Sequence, residues 1–135
     1  MTEASHDQLT VFLPGNRTAF VPGERLEVTV LWAFSRVPGT IDVRLFWITR
    51  GKGTEDIEIV DRAAIRAPAI AGEERCVFIL PEAPWSFSGK LISLVWGVEA
   101  VVASPEHAAR CEFVLAPDAI EIRLGEIAPP PGGLR

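Results

Sequence analysis

Apolar and polar residues alternate with a period of two along nearly the whole of this 135-residue chain, which restricts it to strands with one buried face. Leu26, Val28, Val30 and Trp32 share one side of such a strand, against Arg25, Glu27, Thr29 and Leu31. Ile41, Val43, Leu45 and Trp47 form a second set, opposite Asp42, Arg44, Phe46 and Ile48, and Cys76, Phe78 and Leu80 a third. Ile92, Leu94, Trp96, Val98, Ala100 and Val102 follow, then Cys111, Phe113 and Leu115, and Ile120, Ile122 and Leu124 close the series. One buried and one wetter face per strand is what antiparallel sheets packed as a pair require. The expectation is an all-β antiparallel sandwich of immunoglobulin-like type with about seven to nine strands.

Turn chemistry separates these runs. Pro14-Gly15-Asn16, Pro22-Gly23, Pro38-Gly39, Gly51-Lys52-Gly53 and Ser88-Gly89 supply fixed φ or tolerance of positive φ. Asp61 to Ala67 is expected as a helical turn stopped by Pro68, and Ser104-Pro105-Glu106 as the start of a short helix. Neither repeat nor linker divides the chain. The expected organisation is a flexible N-terminus over 1–8, one sandwich domain over 9–127, and a flexible Pro/Gly tail over 128–135.

Two stretches resemble the arrestin-like superfamily, which includes arrestins, a retromer cargo-sorting subunit and bacterial sporulation-control proteins. The first is Phe20-Val21-Pro22-Gly23-Glu24, followed by Leu26, Val28 and Val30. The second runs Phe78-Ile79-Leu80-Pro81-Glu82-Ala83-Pro84-Trp85-Ser86-Phe87-Ser88-Gly89, then Leu91 to Ala100. It is similar to that family's strand ending in Leu-Pro, its Pro-x-Ser-Phe-x-Gly loop and its long following strand. The resemblance implies an arrestin-like sandwich. It implies no receptor-binding residues, because nothing here matches the charged polar core or phosphate sensor of receptor-binding arrestins. Most arrestins have two such domains, and this chain has room for one.

Composition limits the function. With 48% hydrophobic and 23% charged residues the chain is globular. Its net charge of −5, without a basic stripe, argues against nucleic acid and against anionic membrane surfaces as partners. Met1 to Gln8 lacks the apolar stretch of a signal peptide, and no run has the length of a membrane span, so the expected location is the cytoplasm. Cys76 and Cys111 read as reduced core residues, not as a metal site.

No chemistry is legible in the motifs. His6 and His107 are the only histidines, and neither accompanies a serine in a Gly-x-Ser-x-Gly turn. Gly51-Lys52-Gly53-Thr54 lacks the upstream glycine of a phosphate loop, since Phe46 stands in its place, and it reads as a hairpin turn. Glu55, Asp56, Glu58 and Asp61 lack calcium-loop spacing and read as a solvated strand face. The chain is therefore expected to be a non-enzymatic protein-interaction or scaffold module without a cofactor. Its partner is another protein or a second copy of itself. The alternatives are a sandwich binding carbohydrate or another small ligand, and an enzyme subunit whose site forms between chains. Candidate partner-binding residues are Trp85, as a loop-tip anchor, and the apolar residues of the outward faces: Leu31, Phe46, Ile48, Val95, Val101 and Val114.

Overall fold

A computed structural model of the chain describes residues 7–51, 53–103 and 106–123. His6, Lys52, Ser104, Pro105, Leu124 and the expected tail over 128–135 lie outside the described residues, as does most of the segment 1–8.

Ten strands occur among the described residues, in two packed sheets. The smaller sheet holds β1 (Gln8–Phe12), β3 (Arg25–Ala33) and β6 (Ala71–Ile79), in the order β1-β3-β6 and antiparallel throughout. The larger contains β4 (Gly39–Gly51), β5 (Thr54–Ala67), β8 (Ile92–Val102) and β9 (His107–Leu115). Its long strands are antiparallel, with β4 between β5 and β8, and β9 on the other side of β8. Three two-residue strands complete the larger sheet. β2 (Ala19–Phe20) runs parallel to β9, β7 (Phe87–Ser88) pairs with β8, and β10 (Ile122–Arg123) runs parallel to β7.

The alternation read in the sequence becomes the core. Leu26, Val28, Val30, Ile41, Val43, Leu45, Leu80, Trp96, Val98, Ala100, Val102 and Leu115 are at most 1% exposed and face one another between the sheets. Trp96 stacks on Phe113 with ring centroids 6.2 Å apart, and Phe113 meets Phe20 edge-on at 5.4 Å. The indole N–H of Trp96 donates to the carbonyl of Pro84 at 2.8 Å, so this large side chain is satisfied as well as buried.

One element differs from expectation. Asp61 to Ala67 is not a helical turn but the second half of β5, and it pairs with Leu45 back to Gly39. Ile65 and Ala67 are buried on its inner side, so burial against β4 outweighs the local helical preference. A register shift opposite Leu45 and Phe46 leaves Val60 as an extra residue, and the strand continues past this bulge. Ile120 and Ile122, expected to close the buried series, are 66% and 38% exposed, because β10 is only a two-residue edge.

The two stretches that carry the resemblance meet in space. Gly23, at φ +81°, occupies a turn where its N–H donates to the Leu80 carbonyl, and the Leu80 N–H donates back to the Glu24 carbonyl, both at 2.9 Å. The Glu24 carboxylate accepts the Val21 N–H at 3.1 Å and pairs with Arg17. Arg17 accordingly holds the Glu24 pKa below the usual carboxylate range. Ser86, 1% exposed, bonds Leu115 in both directions: its N–H donates to the Leu115 carbonyl at 2.7 Å, and its hydroxyl accepts the Leu115 N–H at 2.9 Å.

Cys76 and Cys111 are free thiols on different sheets, each partly buried against the core rather than fully inside it. Burial pushes the Cys76 thiol up to about 11, and burial together with the Glu112 charge raises that of Cys111.

Three outcomes test this packing. Trp96→Ala should cost about 3–5 kcal/mol in chemical denaturation, through lost burial and the cavity left behind. A loss near the 0.5 kcal/mol typical of surface sites would contradict the assigned register. Ser86→Ala should cost about 1–3 kcal/mol by stranding the Leu115 N–H. At pH 8 both thiols should react slowly with a disulfide reagent in the folded protein and rapidly in denaturant.

Candidate interaction surface

The sheets differ in length. β3 and β6 have 9 residues each, whereas β4 has 13 and β5 has 14. At one end the sheets finish together: Ala67 pairs with Gly39, and the short link after it leads to Ala71, which pairs with Ala33. The Phe34 N–H donates to Ile70 and the Trp32 indole N–H to Ala69, tying this end shut. All the excess length therefore emerges at the other end. Four residues at about 3.3 Å each leave roughly 13 Å of the inner face of the larger sheet beyond the smaller one.

The segment from Leu80 to Ser86 covers the first part of that excess, with its Pro84 carbonyl on Trp96 and Ser86 on Leu115. Past it no described segment lies over the inner face. Pairing fixes which side chains share it, since paired residues point to the same side of a sheet. One row runs Ile122, Phe87, Leu94, Thr49, Asp56 from β10 to β5. Ile92 lies two residues along from Leu94, and Trp47 with Glu58 lies on the core side. Ile92 is 45% and Ile122 38% exposed, while Phe87 and Trp47 are half-buried. The half-burial of Trp47, for which the alternation predicts a place fully inside, follows from its position at the lip of the overhang.

Trp85 stands beside this floor in the covering segment. Its indole N–H donates to the Glu82 carbonyl at 2.7 Å and its side chain remains 42% exposed. It is thus neither a core cap nor a free rotor. Its hydrogen bond holds it to its own loop, with a large part of the ring in solvent. Restricting a large aromatic in advance lowers the entropy lost on binding.

The other candidates from the sequence do not join it. Leu31 is 40% exposed on the outer face of the smaller sheet, between Thr10 and Glu73. Phe46, Ile48, Val95, Val101 and Val114 belong to the opposite outer face, so the set is not one patch. Phe46 and Ile48 also have no exposed surface at all, contrary to the expectation of an open apolar face. Among the described residues no long loop covers them, since Asp61 to Ala67 belongs to β5.

Their cover is made of long charged side chains. The Phe46 ring lies flat over Gly97, where a Cβ would sit 2.6 Å from its Cζ, and the Arg110 guanidinium rests 4.7 Å above the ring centre. Arg50 of β4 reaches Glu112 of β9 at 2.6 Å, crossing β8 above the Ile48–Val95 pair, and also holds Glu55 at 3.0 Å. The hydrogen bonds that Arg50 donates to Glu112 and Glu55 raise its pKa further. Arg62, Asp42, Arg44, Glu99 and Arg110 extend this lattice across the sheet. Exposed ion pairs contribute little stability singly, but their aliphatic stems exclude water from the apolar layer beneath. Val95, Val101 and Val114 are half-buried within it.

Reactive groups are engaged elsewhere. Ser86 bonds to backbone, and His107 contacts the Glu106 carbonyl through Nδ1 and packs edge-on to Phe34. Among the described residues no group of three His, Cys, Asp or Glu is placed to hold a metal, and no helix is long and apolar enough to cross a membrane.

No protein-family model matches the chain, and no curated protein matches its sequence. Its structure is similar to that of Spo0M, a sporulation control protein from Bacillus subtilis, with TM-score 0.55 and 13% identity over 82% of this chain and 49% of that one. This chain therefore spans about half the length of Spo0M. A β-glucosidase from Listeria innocua aligns with TM-score 0.47 and 15% identity, over 90% of this chain and 17% of that one. The alkylpurine DNA glycosylase AlkC from Pseudomonas fluorescens aligns with TM-score 0.39 and 11% identity, over 80% of this chain and 30% of that one. Of these three only Spo0M exceeds 0.5, and at its level of identity the likeness concerns the fold. That fold is the arrestin-like β-sandwich.

Proposed function

We propose that this chain is a non-enzymatic protein-interaction module that binds its partner at the overhanging inner face and Trp85. The observation that carries the reading is the open end of the sandwich. There the apolar surface continues outward from the buried Leu94 through the half-buried Phe87 to the exposed Ile92 and Ile122, in a structure that also exposes the Trp85 indole. Solitary surface hydrophobes are ordinary, but a run of them continuous with the core is characteristic of a binding surface. A second chain laid on the floor would extend the core where the smaller sheet stops.

Two further facts support a binding role over catalysis. Burial disfavours the thiolate of both cysteines, and the buried serine is committed to Leu115. Protein fits the floor better than sugar does, since Ile92, Leu94 and Ile122 are aliphatic and offer no hydrogen-bonding groups to hydroxyls.

The test compares the full chain with Trp85→Ser/Ile92→Glu and with Leu31→Glu in affinity capture from the cell that produces it, all three first shown to be folded by thermal melting. Partners held by the wild type and by Leu31→Glu should be lost from the double variant. Retention of every partner by the double variant would remove the overhang as the binding surface.

A further inference from the structure

The floor of the overhang is charged unevenly, and this bears on what it takes. On the β5 side it ends in Asp56 and Glu58, paired with Thr49 and Trp47 and exposed. Neither carboxylate makes an ion pair or side-chain hydrogen bond among the described residues, in contrast to Glu55, Glu99 and Glu112, which are all held by arginines. The centre is apolar. The loop joining β7 to β8 carries the exposed Lys90. Across the strands the floor therefore passes from acidic at β5 to apolar at β8 and β7.

Resting on the reading of the overhang as a binding surface, we infer that its occupant is a protein segment with a short apolar run and Lys or Arg at one end. The apolar run lies on Ile92, Phe87 and Ile122, and the cationic end lies against Asp56 and Glu58. Two carboxylates without partners among the described residues, at the rim of an apolar floor, complement a cation directly. The charges of the rim set the orientation and encounter rate, and the apolar floor supplies most of the affinity.

The experiment pans a displayed library of random 12-residue peptides against the immobilised full chain, then measures the most enriched peptide by fluorescence anisotropy. Expected are peptides with three or more apolar residues next to Lys or Arg. Their binding should be lost with Ile92→Glu, and should weaken at least about threefold with Asp56→Lys/Glu58→Lys or in high salt. If enriched peptides need Ile92 but are uncharged or acidic and ignore the double reversal, the surface stands and the inferred chemistry falls. If no peptide is enriched, or binding ignores Ile92→Glu, both fall. Sedimentation of the chain alone covers the remaining occupant: a dimer abolished by Ile92→Glu would make the partner a second copy and overturn the inference.

Discussion

Unequal strand length is the constraint from which the rest of this structure follows. A sheet whose strands β4 and β5 run 13 and 14 residues cannot be covered by partners of nine. Because the sheets finish flush where Ala67 turns towards Ala71, the whole mismatch is concentrated at one end. Uncovered inner face is expensive in water at about 25 cal/mol per Å² of apolar surface. The chain limits the cost by bringing the segment from Leu80 to Ser86 across Trp96. It leaves only the last rows open.

That crossing explains why the two recognisable stretches have the residues they have. Leaving the smaller sheet after β6, the backbone must be held at Leu80, and Gly23 and Glu24 hold it there by two reciprocal hydrogen bonds. On reaching the larger sheet it meets the point where β9 parts from β8 and β7 takes the vacated edge. Ser86 closes the gap by bonding both backbone groups of Leu115. Proline at 81 and 84 suits a crossing that forms no ladder, and a serine small enough to be buried is the side chain that can reach an amide there. The two stretches are one structural device, split by the 53 residues between Glu24 and Phe78.

The two outward faces of the sandwich show that an apolar residue pointing away from the core need not be a contact surface. Phe46 and Ile48 are buried under arginines and glutamates of neighbouring strands, and Gly97 lets the Phe46 ring lie down against the sheet. The same sheet is open on its inner side at the overhang, where alternation assigns residues to the interior. Exposure here is set by what lies across the sheet, not by the direction a side chain takes along the strand.

The strand pattern, the all-β class, the turns at Pro14, Pro22, Pro38 and Gly51, and the inward sets around Trp32 and Trp96 were legible in the sequence. Each depends on period-two alternation or on the φ preference of a single residue, and both are local. The resemblance of the Phe20 to Glu24 and Phe78 to Gly89 stretches likewise pointed to the arrestin-like sandwich. The strand at Asp61 to Ala67 was not legible, because it is held by pairing with β4, which no local signal encodes. The overhang, the covering of Phe46 and Ile48, and the grouping of Ile92, Phe87 and Ile122 with Asp56 and Glu58 were decided by tertiary structure alone. They depend on how far one sheet extends past another and on which strands become neighbours, and those are properties of residues far apart in the chain.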